Sequence, residues 1–260
     1  MNRREFLTKT VGTGVKTFVF GNLVCTTAEL LQDKKSFANS ASKKEEPEKV
    51  IFGFLVDTRK CIGCGSCVRA DKAENGVPEG FFRTWVERYT FFPNGRVLVD
   101  SPKGAEDGFW PVKEDKERTL GKPYHHYFVP KLCNHCIDTP CIQVCPVGAS
   151  FETKEGVILI DQKRCVGCAY CVQACPFGTR YINPEKGVAD KCTWCYHRTT
   201  QGLKPACVEV CPVKARIFGN ISDSESEISK LLRDNRVQVL KSYLGTRPKT
   251  RYIGLDSGVI

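Results

Sequence analysis

The sequence predicts an α+β fold built from repeated strand–helix–strand units, and three observations predict it. Residues 133–175 read Cys133-x2-Cys136-x4-Cys141-x3-Cys145-Pro146 and then Cys165-x2-Cys168-x2-Cys171-x3-Cys175-Pro176, two cysteine groups each closed by Cys-Pro. Residues 55–71 and 159–175 align without gaps at an offset of 104, so that Cys61-x2-Cys64-x2-Cys67 overlies Cys165-x2-Cys168-x2-Cys171. The stretches after the Cys-Pro pairs also echo one another: Val147-Gly148-Ala149-Ser150-Phe151, Phe177-Gly178-Thr179-Arg180-Tyr181 and Val213-Lys214-Ala215-Arg216-Ile217-Phe218. Self-similarity of this kind marks a chain made from copies of one supersecondary unit.

The cysteine spacing points to iron–sulfur chemistry. A cubane cluster takes four thiolates around one compact object. Three close cysteines on a tight loop supply three corners, and in two-cluster ferredoxins the fourth is the Cys-Pro cysteine of the partner motif. Structural zinc sites, the rival reading, favour two separated Cys-x2-Cys knuckles. A disulfide framework fits less well still, because x2 and x3 spacings suit one shared object better than paired bridges.

At 260 residues the chain has room for one large or two small cored domains. Its 16 cysteines and single methionine are the compositional outliers, and its formal charge is +10. Such a charge by itself points to nucleic acid or membrane. Residues 1–41 hold six Lys/Arg and three Asp/Glu, which leaves +7 on the remainder. Fifteen ligating thiolates would add about −15 and four oxidised cubane cores about +8, so the loaded body is near neutral and the basic excess reads as counter-charge to the clusters. No nucleic-acid motif accompanies it.

The chain opens Met1-Asn2-Arg3-Arg4-Glu5-Phe6-Leu7, which resembles a twin-arginine export signal. Residues 10–31 are moderately apolar and interrupted by Lys16. That falls short of the roughly 20 apolar residues of a membrane span and suits the apolar region of a signal. Clusters are inserted in the cytoplasm, so an exported cluster protein must cross already folded, as the twin-arginine route permits. Cys25 lacks a small residue before it and reads as a bystander in the signal. Residues 38–41 suit cleavage, with an uncleaved anchor as the alternative, and residues 42–49 read as a charged linker. The expected location is the periplasmic side of the cytoplasmic membrane.

From residue 50 the elements follow in order. Residues 50–56 form an apolar run read as a strand leading into the first cysteine group. In the repeat every cysteine finds its match except the last: Asp71 stands where Cys175 stands. Asp71 has three readings: an iron ligand through a carboxylate oxygen, a harder donor than thiolate; a cluster left with three protein ligands; or a solvated acid on a helix, which the position disfavours. Residues 81–89 read as a strand, Pro93-Asn94-Gly95 as a turn and residues 96–99 as the return strand. Residues 101–123 read as a surface loop. Tyr124-His125-His126-Tyr127-Phe128-Val129 fits a partner interface or a lid over the metal sites, with the two histidines structural or interfacial rather than ligating. His135, inside the second group, would tune a cluster or face a neighbour through a hydrogen bond. Residues 150–153 and 157–160 flank Lys154-Glu155-Gly156 as a short hairpin, and residues 179–182 read as another strand. The fourth group, Cys192-x2-Cys195-x11-Cys207-x3-Cys211-Pro212, gains its meaning from its three sisters, and Trp194 within it reads as a shield. Residues 222–234 have helical spacing through Ile228, Leu231 and Leu232. Residues 244–254 read as a turn and strand.

Four such groups behind a twin-arginine-like leader resemble the four-cluster ferredoxin-like electron-transfer subunits of molybdopterin oxidoreductase complexes. These include the polysulfide, tetrathionate and dimethyl sulfoxide reductases and the nitrite-reductase-associated subunits. The resemblance covers nearly all of residues 50–255, and Cys61-Ile62-Gly63-Cys64 and Lys72-Ala73-Glu74-Asn75-Gly76-Val77-Pro78 are most like the polysulfide and tetrathionate members. Asp71 departs from the pattern. The resemblance implies an α+β fold of two stacked ferredoxin-like domains of the bacterial two-cluster type, with an inserted β-hairpin and loop region and a C-terminal extension. Residues 50–71 with 186–220 would form the first pair and 130–185 the second, with 72–129 inserted and 221–260 the extension. It also implies shared ligands: Cys61, Cys64, Cys67 and Cys211 (set I); Cys192, Cys195, Cys207 and Asp71 (set II); Cys133, Cys136, Cys141 and Cys175 (set III); Cys165, Cys168, Cys171 and Cys145 (set IV). Sets I, III and IV would hold [4Fe-4S] clusters and set II a [4Fe-4S] or [3Fe-4S] cluster.

The implied function is electron relay rather than catalysis by this chain alone. Its partners would be a catalytic molybdopterin subunit and a polytopic quinone-handling membrane subunit or cytochrome, with membrane association through them and no nucleic acid. The alternatives are a ferredoxin subunit of a periplasmic hydrogenase or cytochrome-linked quinone reductase, a redox sensor with a labile Asp71 cluster, and a zinc-stabilised interaction module.

Overall fold

In the computed structural model, which describes residues 50–256 and Val259, the chain runs β1 (Phe52–Asp57), α1 (Ser66–Asn75), β2 (Thr84–Phe91), β3 (Val97–Asp100), a 3-10 turn (Pro102–Ala105), α2 (Glu114–Leu120), β4 (His125–Leu132), α3 (Pro140–Gln143), β5 (Ser150–Glu152), β6 (Ile158–Ile160), α4 (Tyr170–Gln173), β7 (Arg180–Ile182), β8 (Ala189–Lys191), α5 (Tyr196–Thr199), α6 (Ala206–Glu209), β9 (Arg216–Asn220), α7 (Glu227–Asp234), β10 (Val237–Gln238), a 3-10 turn (Ser242–Leu244) and β11 (Thr250–Ile253). The signal-like leader, Cys25 and the charged linker lie outside the described residues.

The sequence of β1, Phe-Gly-Phe-Leu-Val-Asp, is buried from its second residue onward, as suits a strand covered on both faces. It pairs antiparallel with β9 and parallel with β11, and β10 closes the sheet on the far side of β11. One face packs Leu55, Ile217 and Ile253 against Ile228 of α7. The other packs Phe54, Val56 and Tyr252 with Val68 and Trp194. The Ser226 hydroxyl accepts from the Ser229 N–H at 3.2 Å and caps α7. Such a cap contributes about 1 kcal/mol.

The second sheet has the order β3-β2-β4. The expected hairpin is there, shifted three residues at the start of its first strand. One expectation is corrected. Residues 101–123 carry a 3-10 turn and α2: Glu114, Asp115 and Glu117 sit in the helix's first turn, where acids complement its dipole, and Gly121 ends it. The aromatic stretch after residue 124 is a strand, paired with β2 from Phe91 opposite His125 to Thr84 opposite Leu132. Pro130 is tolerated because β4 lies at an edge.

The hairpin β5–β6 forms as expected, and β7 finds a partner in β8 that the sequence reading lacked. Three residues are too few to show alternation. Two of them, Asp190 and Lys191, are buried charges: Arg83 contacts Asp190 at 2.8 Å and the Tyr181 hydroxyl donates to it at 2.9 Å, while the Lys191 ammonium donates to backbone carbonyls. Among the described residues no helix is long and apolar enough to cross a membrane.

Candidate metal centre

The four Cys-x2-Cys loops share one backbone device. The residue just before the second cysteine has positive φ in each: Gly63 at 67°, His135 at 43°, Gly167 at 70° and Trp194 at 53°. Glycine is required at two of them. A Cβ on Gly63 would lie 2.5 Å from the Phe128 ring, and one on Gly167 would lie 2.3 Å from the Gly187 carbonyl oxygen. His135 and Trp194 instead carry side chains at a left-handed position, at roughly 1–2 kcal/mol each. Their rings stack at 4.0 Å between centroids and 32°, and each residue is 1% exposed. His135 Nδ1 accepts from the Ile158 N–H at 2.9 Å, which leaves the proton on Nε2. Burial, with Lys191 and Lys249 nearby, holds its pKa far below that of an ordinary imidazole, so the ring is neutral. His135 thus faces a neighbouring group by both stacking and hydrogen bonding.

In the last three groups a short helix carries the third cysteine and the fourth lies just beyond it, as with Cys141 on α3 and Cys145 after its cap; in the first, Cys67 and Asp71 both lie on the longer α1. One pocket is lined by Cys61, Cys64, Cys67 and Cys211, all of set I. A second is lined by Cys133, Cys136, Cys141 and Cys175, all of set III. The two match in size, each about 330 Å³ including its mouth. In set II, Cys192, Cys195 and Cys207 each feel the charge of Asp71. In set IV, Cys165 and Cys171 share a core cluster with Cys141, while Cys168 is exposed.

Asp71 is 3% exposed, so the solvated-acid reading does not hold. It lies one helical turn past Cys67 on the buried face of α1. Its Oδ1 accepts from Asn75 Nδ2 at 3.0 Å, and the same amide donates to Cys195 Sγ at 3.7 Å. Its Oδ2 is buried without a partner. Burial raises the carboxyl pKa to about 6, against the lowering influence of Arg83 and Arg216.

The donor set suits clusters. The fifteen described cysteines are all free. Burial pushes the thiol pKa up to about 11 at Cys61 and Cys141 and to about 12 at Cys136 and Cys207. Buried thiols of this kind keep their protons until a metal takes the proton's place. Sets I and III each spread four cysteines around one pocket, as an object larger than a single ion requires. Backbone N–H groups point at sulfur at equivalent places: Ala149 to Cys145 at 3.2 Å and Ala215 to Cys211 at 3.3 Å. At Cys145, burial works to raise the thiol, and the N–H groups of residues 147–150 outweigh it and lower its pKa. Arg180, Lys191 and Arg216 are buried beside these sulfurs and were missed as site residues. The echoing phrases held the signal for the two arginines, since each is the fifth residue after a Cys-Pro cysteine.

Comparison with known proteins agrees with this geometry. Residues 60–149 and 124–221 each match a family described as "4Fe-4S dicluster domain". The chain is 41% identical over 226 residues to a tetrathionate reductase subunit of Salmonella typhimurium, covering 86% of this chain and 80% of that one. It is 37% identical over 199 residues to a polysulfide reductase chain of Wolinella succinogenes, covering 76% and 91%. It is 37% identical over 261 residues to the protein NrfC of Escherichia coli, covering 100% and 98%.

Proposed function

This protein belongs to the family of iron–sulfur electron-transfer subunits of the tetrathionate, polysulfide and dimethyl sulfoxide reductases, and on that premise we propose that it relays electrons between a catalytic molybdopterin subunit and a quinone-handling membrane subunit. The observation that carries this reading is the pair of matching pockets, each gathering three cysteines of one group and the Cys-Pro cysteine of another. We read sets I to IV as four cluster sites, with Asp71 Oδ2 as the fourth donor of set II. Its lack of any partner supports that assignment. Bound clusters would supply one-electron relay sites, and everything else is the work of the chain.

Its cysteines hold the clusters, and its core keeps water from the middle sites: Cys192, Cys195 and Cys207 are 3–5% exposed. At sets I and IV the loops reach the surface, with Ile62 56% and Val166 65% exposed beside their ligands. Electrons entering at one end and leaving at the other need such access. The packing of α1 on α6 and of α3 on α4 supports two stacked ferredoxin-like halves, residues 50–71 with 186–220 and residues 130–185. Residues 72–129 would be the insertion carrying the hairpin, and 221–260 the extension. The relay is not an enzyme by itself. Export by the twin-arginine route would place it on the periplasmic side, with membrane association through its partners.

The test is affinity purification from gently solubilised membranes, with mass spectrometry of co-purifying chains and iron and sulfide analysis. A molybdopterin protein, a polytopic membrane protein and four clusters per chain are expected. Recovery as a lone soluble protein, or with zinc in place of iron, would sink the proposal.

A further inference from the structure

Three fully buried cations lie beside the cysteine sets. Arg216 is 2% exposed and lines the set I pocket with Cys61, Cys64, Cys67 and Cys211. Its Nη2 donates to the Thr84 hydroxyl at 2.9 Å, and its Nη1 is buried with no partner. It faces Cys67 and Cys61 of set I and Cys207 of set II. Arg180 is 4% exposed and lines the set III pocket. Its Nη1 donates to the Ser150 hydroxyl at 2.9 Å, and its Nη2 has no partner. It faces Cys141 and Cys133 of set III and Cys171 of set IV. Lys191 is 1% exposed, with its ammonium donating to the Cys192 carbonyl at 2.8 Å and to that of Ile158. It faces Cys133 and Cys141 of set III and Cys192 of set II.

We propose that Arg216, Lys191 and Arg180 sit one at each junction of a I–II–III–IV series and raise the reduction potentials of the two flanking sites in parallel. The inference rests on the cluster assignment above. A buried guanidinium N–H without an acceptor is costly, and cluster sulfur would be the missing acceptor for Arg216 Nη1 and Arg180 Nη2. A positive charge between two sites stabilises an added electron on either one. It therefore raises both potentials and leaves their difference, the driving force of the hop, little changed. Coulomb attraction falls with distance, so each cation acts on its own two neighbours most. At the I–II junction Asp71 opposes part of this effect, since it faces Arg216 and Arg83 as well. The three residues are positioning residues for charge.

The experiment is redox titration of the loaded full-length chain, followed by electron paramagnetic resonance. Arg216→Gln is expected to lower the reduced-to-oxidised ratio of sets I and II on the order of tenfold at fixed solution potential, about 59 mV for one electron. Sets III and IV should move far less. Arg180→Gln should give the mirror result, and Lys191→Met should move sets II and III. Arg216→Lys keeps the charge and should keep both potentials near wild type. The proposal is overturned if Gln moves no potential, if it moves all four alike, or if Lys moves them as far as Gln does. Should Arg216→Gln fail to load, the Arg216→Lys and Lys191→Met arms decide. A wild-type chain with fewer than four clusters fails the cluster assignment itself, whereas four clusters with charge-independent potentials fail only the junction proposal.

Discussion

His135 and Trp194 stack ring on ring at 4.0 Å, and each comes from inside a Cys-x2-Cys loop. The contact joins the loop of Cys133 and Cys136 to that of Cys192 and Cys195, so the cysteines proposed for sets III and II are braced against each other through two side chains. Trp194 also packs near Phe54 and Phe218 of the central sheet. Trp194→Ala would leave a cavity at the centre of the molecule and should cost about 3–5 kcal/mol. Denaturant unfolding followed by cluster absorbance measures it. A loss below about 1 kcal/mol would mean that the stack is incidental.

Two glycines with similar backbone angles should respond differently to alanine. Gly167 (φ 70°) would push its Cβ to 2.3 Å from the Gly187 carbonyl, while Gly148 (φ 61°) has nothing within 4 Å. Gly148→Ala should cost only the left-handed penalty of about 1–2 kcal/mol. Gly167→Ala should cost clearly more and impair cluster loading at set IV, because backbone cannot rotate away as a side chain does. Equal behaviour of the two variants in iron content and melting would contradict the steric account.

Asp71 Oδ2, buried and unpartnered, should matter to the iron count of one site. Asp71→Ala should leave a three-iron cluster there, recognised by a paramagnetic oxidised state, and Asp71→Cys should restore a four-iron cluster with a diamagnetic one. Identical spectra for wild type and both variants would exclude iron ligation by Asp71.

Asp57 closes the end of β1 beside the first cysteine loop, accepting from Arg59 Nε at 2.8 Å and Nη2 at 2.9 Å. Burial works to raise its carboxyl, but the Arg59 hydrogen bonds and charge outweigh it and hold the pKa below the ordinary 3.8. A group lowered in the folded state contributes stability that is present above its unfolded pKa and lost as pH falls through its folded one. Arg59 is largely exposed, so the pair contributes only about 0.2–1 kcal/mol. Urea midpoints of wild type and Asp57→Asn should therefore differ by a constant amount from pH 7 to about 5 and converge below about 4. A gap that widens in acid would have the wrong sign.

The sequence by itself determined the local chemistry. Cysteine spacing within each group, the repeat, the Asp71 mismatch, the strand before the first group and the hairpin around Lys154-Glu155-Gly156 were all legible, because a ligand loop or a turn is specified by a few neighbouring residues. Charged composition misled where context decides, since α2 lay in a stretch read as loop, and the aromatic stretch after residue 124 becomes strand β4 because β2 offers it a ladder. Spacing alone left open which groups meet; the resemblance implied Cys211 with Cys61, Cys64 and Cys67, and the tertiary structure brings those four to one pocket. Only the tertiary structure buried Asp71, laid Trp194 on His135 and left Arg216, Lys191 and Arg180 without water. The physical reason is that burying a charge or stacking two rings depends on segments far apart in the chain, and their closeness is a property of packing that no local pattern carries.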